Sequence, residues 1–100
     1  MPKGYVIGRA RVTNATQWGV YAAEASKAIA QYGGKPLVRG GLCAVGGGGG
    51  RPRNVVLEFP SYQAALDCYN SPEYQKTIAL RAPHSTADIM VIEGYDGPQP

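Results

Sequence analysis

Arg39 stands on a chain segment beside two glycines, Gly40 and Gly41. A guanidinium so placed is open to bidentate pairing with a carboxylate or phosphate, and an ion pair across a dimer would use it equally well. Glu58 lies inside an apolar run, and a carboxylate held there must be paired or protonated. Such a group would suit a general base, whereas a structural salt bridge with Arg9 or Arg39 accounts for it with no chemistry at all. His84 is the only histidine and falls in the loop Ala82-Pro83-His84-Ser85-Thr86. One imidazole serves acid–base work near neutral pH, but it assembles no metal site without carboxylates or thiols beside it, so the reading is an exposed loop side chain. Tyr5, Tyr69 and Tyr74 offer phenols to a pocket between helices and sheet, although amphipathic tyrosines at a core edge are commoner than catalytic ones. Cys43 and Cys68 lack Cys-x-x-Cys spacing, which supports neither redox catalysis nor zinc binding. The candidate pocket set is therefore Tyr5, Arg39, Glu58, Tyr74 and His84, with no catalytic role assigned, no metal and no cofactor.

The elements that must position these groups are read from periodicity. Residues 4–12 predict a strand, with Tyr5, Ile7, Arg9 and Arg11 on one face and the smaller Val6, Gly8, Ala10 and Val12 on the other, which suits packing against a helix. Asn14 with Gln17 three positions on opens a helix over residues 15–32, where Trp18, Tyr21, Ala22, Ala25, Ile29 and Tyr32 recur at helical spacing. Gly33-Gly34 ends it. Residues 35–45 predict an edge strand broken at Gly40-Gly41, and residues 53–59 a central strand that is apolar on both faces. Between them Gly46 to Gly50 form a flexible hairpin loop rather than a phosphate cradle, because a strand and not a helix follows. Ser61 caps a short helix with Ala65, Leu66 and Tyr69 as its buried stripe. Ser71-Pro72-Glu73 restarts a helix on which Tyr74, Ile78 and Arg81 share a face. Residues 88–93 make the last strand, and residues 96–100 a frayed tail. The order is β-α-β-β-α-β, an α+β ferredoxin-like pattern that places both helices on one face of a four-stranded antiparallel sheet. The other face is too apolar to be left in water, and an identical sheet is the simplest cover.

The 100 residues are the size of one domain, and 44% hydrophobic against 17% charged is a globular balance. A net charge of +3 is too weak and too dispersed for nucleic acid, but it is compatible with a small anionic molecule. Two cysteines in a chain that needs no disulfide fit a reduced, cytoplasmic setting. The N-terminus has no signal-peptide core, and no apolar stretch reaches the roughly 20 residues that span a bilayer, so no membrane partner is expected.

Three segments also carry a family resemblance: Lys3-Gly4-Tyr5, Tyr32-Gly33-Gly34-Lys35-Pro36-Leu37-Val38-Arg39-Gly40-Gly41, and Arg51-Pro52-Arg53 on through Glu58-Phe59-Pro60-Ser61-Tyr62 to Tyr69-Asn70-Ser71-Pro72-Glu73-Tyr74-Gln75 and Ile78-Ala79-Leu80-Arg81. Together they resemble the family catalogued as domain of unknown function 1330, over nearly the whole chain. The resemblance implies a dimeric α+β barrel, two four-stranded sheets face to face, in a superfamily that includes cofactor-independent monooxygenases, isomerases and binding domains. Fold alone does not choose among these. The expectation is a homodimeric small-molecule-binding protein. A monooxygenase- or isomerase-like enzyme is the alternative, and a structural or interaction module the second.

Overall fold

The protein, seen in a computed structural model, is described at residues 2–48 and 50–100. Met1 lies outside the described residues, as does Gly49 of the expected glycine loop. The element order is β1 (Gly4–Val12), α1 (Ala15–Gln31), β2 (Lys35–Arg39), β3 (Arg53–Phe59), α2 (Tyr62–Asn70), α3 (Pro72–Arg81), a 3₁₀ turn (Ala82–His84) and β4 (Ser85–Glu93). The strands form one antiparallel sheet in the order β2-β3-β1-β4, so that β3 is central and β2 an edge, as their sequences predict, and β1 is the second central strand.

Local chemistry sets the helix boundaries. Asn14 Oδ1 accepts the Gln17 N–H at 3.1 Å, Ser61 Oγ accepts the Ala64 N–H at 3.0 Å, and Ser71 Oγ accepts the Tyr74 N–H at 3.1 Å. Each such cap stabilises its helix by about 1 kcal/mol. At the far end of α1, Gly33 takes φ +81°, its N–H bonds the Ala30 carbonyl and the Gly34 N–H bonds the Ile29 carbonyl, the paired closure of a Schellman motif. Gly34 is also a close approach, since a Cβ there would lie 2.8 Å from Phe59 Cε1.

Strand alternation sorts the side chains as expected. Val6 and Ala10 of β1, with Leu57 and Phe59 of β3, are buried beneath the helices. One core cluster joins Val6, Leu57 and Phe59 to Ala65 and Cys68 of α2. A second joins Tyr21, Ala25 and Ala28 of α1 to Tyr74 of α3. The buried stripe of α2 is therefore Ala65 and Cys68, three residues apart on the side that meets the sheet, while Leu66 and Tyr69, each one residue further on, flank that side and are half-covered.

Two strand boundaries differ from the expectation. β2 ends at Arg39 instead of running to 45, since Gly40 and Gly41 turn the chain with φ of +74° and +99°. β4 starts at Ser85, earlier than 88, because β1 is long enough to pair as far as Val12 with Ser85. The bend expected at the two glycines is present, and a second irregularity lies before it at Leu37, where the β2–β3 register shifts between Pro36 and Val38.

Burial also has a titratable consequence. Cys68, 2% exposed, has its thiol pushed up to about 11 from 9.0, first by burial and then by the Glu73 carboxylate. The unfolded chain releases this proton near 9.0 while the folded protein still holds it, so stability is intact below that pH and falls as pH rises toward 11. Urea midpoints measured through this window should decline, and Cys68→Ala should flatten part of the decline. An unchanged pH profile in the variant would contradict the assignment.

Candidate functional site

The site begins with how α1 is held. Its Tyr21 hydroxyl pairs with the Tyr74 hydroxyl of α3 at 2.8 Å, and the two helices pack on each other while α1 stands off the sheet. Beneath it lies a cavity of about 250 Å³. The floor is strand: Val6, Gly8 and Ala10 of β1, Val55 and Leu57 of β3, and Ile89 of β4. The roof is the stripe Trp18, Tyr21, Ala22, Ala25, Ser26 and Ile29 of α1, whose alanines leave the volume empty. Arg39, Arg53 and Tyr74 complete the wall.

The bulge at Leu37 puts Arg39 there. Lys35 pairs with Glu58 and Pro36 with Leu57, but after the extra residue Val38 pairs with Val56 and Arg39 with Val55. A one-residue shift exchanges faces, so Arg39 joins Pro36 on the helix side instead of following Lys35 to the open side. Arg53 reaches the same region from β3, its guanidinium carbon 5.7 Å from the Trp18 ring centre. Arg81, 8% exposed, lies behind the phenols with its guanidinium carbon 5.6 Å from the Tyr21 ring centre. Burial and the neighbouring Tyr21 phenol raise the Tyr74 hydroxyl above the ordinary tyrosine range, Arg81 pulling the other way. Tyr74 therefore keeps its proton across ordinary pH and acts as a neutral hydrogen-bonding group.

The five residues singled out from sequence divide into three places. Arg39 and Tyr74 line the cavity. Tyr5 and Glu58 meet on the opposite, open face, where Tyr5 donates to Glu58 Oε2 at 3.2 Å. His84 ends the 3₁₀ turn, half-buried rather than in a loose loop, its carbonyl accepting the Thr13 N–H at 2.8 Å. The partner of Glu58 is Lys3, at 3.3 Å, not Arg9 or Arg39, because the bulge removes Arg39 from that face and Arg9 sits further along β1. Trp18, Tyr21 and Arg53 carry as much of the cavity wall as the residues named from sequence. Trp18 and Tyr21 are legible only as a helical stripe, and Arg53 only as the start of a strand. Among the described residues no group of three or more His, Cys, Asp and Glu side chains is placed to hold a metal ion, and no helix is long and apolar enough to cross a membrane.

The open face carries Ile7, Val38, Val56, Met90 and Ile92, with Met90 52% exposed. Lys3, Arg9 and Lys35 alternate around it with Glu58 and Asp88.

The chain matches the family described as domain of unknown function (DUF1330) over residues 3–95. No curated protein matches it. Among solved structures it is similar to a protein of unknown function from Rhodopseudomonas palustris, with a TM-score of 0.72 and 14% identity over 96% of this chain and 85% of that one. It is also similar to SnoaB, a cofactor-independent oxygenase from Streptomyces nogalater, with a TM-score of 0.63 and 12% identity over 97% of each chain. At such identities the likeness is one of fold, the four-stranded α+β ferredoxin-like architecture.

Proposed function

The chain belongs to the family described as domain of unknown function (DUF1330), and from that premise we propose that it is a homodimeric α+β barrel protein, a single domain whose protomers each bind one small molecule beneath α1. The observation that carries the reading is the cavity itself: about 250 Å³, apolar over most of its wall, with a few polar groups from Arg39, Arg53, Tyr21 and Tyr74 that would orient an occupant. The dimer is supported by the open face. Its apolar centre of Ile7, Val38, Val56, Met90 and Ile92 suits a two-fold pairing with the same face of a second copy.

Binding is favoured over general acid–base catalysis by what lines the cavity. Its walls hold no Asp, Glu or His among the described residues, and Tyr74 keeps its proton. Glu58 lies on the other side of the sheet.

Filling the cavity tests the reading. Ala22→Leu extends a side chain from α1 into the empty volume at a position where Leu is a good helix former. Compounds from a small-molecule library that perturb Trp18, the only tryptophan, should lose affinity by about tenfold or more in this variant, since a plugged pocket forfeits most of the apolar contact. Hits that bind the variant and the parent equally would show that the cavity is not the site.

A further inference from the structure

The polar groups of the cavity differ in kind. The Tyr21 and Tyr74 hydroxyls share one hydrogen bond at 2.8 Å, which leaves one phenolic proton for a further acceptor, and the buried Arg81, its Nε also without a partner, stands behind them outside the cavity wall. The strands contribute two guanidiniums to the wall itself. Arg39 is opposite Val55, and Arg53 is two residues from Val55 on the same face of β3, so the two are diagonal neighbours across the β2–β3 ladder. Such a pair is separated by about 7–8 Å, a gap that two long side chains close easily. The Arg53 head group lies toward β2, its Nη1 3.0 Å from where a Cβ on Gly40 would be, next in sequence to Arg39. Its Nε is buried with no hydrogen-bond partner.

No protein acid answers these charges. The ion pairs among the described residues join Lys3 to Glu58, Lys27 to Glu24 and Arg51 to Asp88, and none includes Arg39 or Arg53. A buried guanidinium N–H without an acceptor is costly, and an anion arriving between Arg53 and the exposed Arg39 gains charge-assisted hydrogen bonds from both while removing that cost at the Arg53 Nε. Beyond the arginines, the surface an occupant meets is mainly apolar, aliphatic on the strands at Val6, Val55, Leu57 and Ile89 and aromatic on α1 at Trp18 and Tyr21.

Building on the cavity reading above, we propose that the ligand is an apolar carboxylic acid, bound as its anion, with the carboxylate gripped between Arg39 and Arg53 and the hydrocarbon body lying under α1 toward the paired phenols. The acid group faces the rim, where Arg39 is exposed, so it enters last and leaves first. Arg39 and Arg53 are thus the residues that set the charge of the ligand, and the size of the space left by Ala22 and Ala25 sets its bulk.

The test is a matched series: branched aliphatic, cyclohexyl and naphthyl carboxylic acids, each with its uncharged amide, titrated calorimetrically into the parent protein, Arg39→Met, Arg53→Met and Ala22→Leu. At least one acid should bind about tenfold or more tightly than its amide, the magnitude expected of hydrogen bonds to a charged group. Either methionine variant, which keeps an apolar stem and removes the guanidinium, should abolish the preference for acid over amide, the ratio of the two affinities falling to about one whatever the variant does to amide binding itself. Equal binding of acid and amide, both blocked by Ala22→Leu, overturns the charge assignment and leaves the cavity reading standing. Binding of no member of the series overturns both. A phosphate monoester of the same body that outbinds the acid overturns the carboxylate assignment.

Discussion

Phe59→Ala is expected to cost about 3–5 kcal/mol of folding stability, the range for deleting a fully buried aromatic ring. Phe59 is 1% exposed and closes the end of β3 against Ala65 and Cys68 of α2. Its ring also fills the space that Gly34 leaves by having no side chain, so the cavity made by its removal is bounded by backbone on the α1 side and cannot easily collapse. A domain of this size has a total stability of roughly 5–15 kcal/mol, so the loss is a large share of the whole. In a thermal melt it should appear as a fall of more than about 12 °C, taking about 4 °C per kcal/mol as the lower slope. Tyr95→Ala is the control, since Tyr95 is 72% exposed, and it should change the melt little. A small shift for Phe59→Ala would mean that the packing around α2 is not the main source of stability.

Ile7→Lys is expected to separate the proposed homodimer into monomers. Ile7 sits in the middle of the open face, flanked by Val56 on β3 and Met90 on β4. In the isolated protomer it is only half-buried, so an exposed lysine there is compatible with folding. In a face-to-face dimer the same ammonium would lie near its own symmetry mate in a desolvated interface, where like charges are strongly unfavourable. Stable interfaces of ordinary size bury about 800 Å² on each partner, which a four-stranded face of this kind can supply. Light scattering at micromolar concentration should give twice the protomer mass of 10.6 kDa for the parent and the protomer mass for the variant. A monomeric parent would overturn the dimer, and a dimeric Ile7→Lys would place the interface elsewhere.

Much of this architecture is written in short-range signals. Asn14, Ser61 and Ser71 mark helix starts because each side chain bonds a backbone N–H three residues on, and Gly33 marks a stop because only glycine enters the left-handed region without strain. The two faces of β1 follow from alternation alone. The site is harder to see. Arg39 and Glu58 look like partners on neighbouring strands until one extra residue in β2 sends them to opposite sides of the sheet, and no residue type announces a bulge at Leu37. Glu58 is then met by Lys3 and Tyr5, which the pairing of β1 with β3 brings to it. The cavity is invisible for a different reason. The stripe Trp18, Tyr21, Ala22, Ala25 and Ile29 reads as core, and only the contact of Tyr21 with Tyr74 on another helix lifts α1 far enough from the strands to leave a space.

The bulge, rather than the order of residue types along β2, decides which surface receives a positive charge. Were the strand paired in unbroken alternation with Leu37 in it, Leu37 would stand opposite Val56, Val38 opposite Val55 and Arg39 opposite Asn54, on the face that carries Ile7 and Met90. Deleting Leu37 takes out the extra residue instead, and keeps Val38 opposite Val56 and Arg39 opposite Val55, so the guanidinium stays at the cavity. The edge strand can thus lose a residue at this one point without turning over the side chains that follow, whereas the same loss from a regular strand would reverse every one of them.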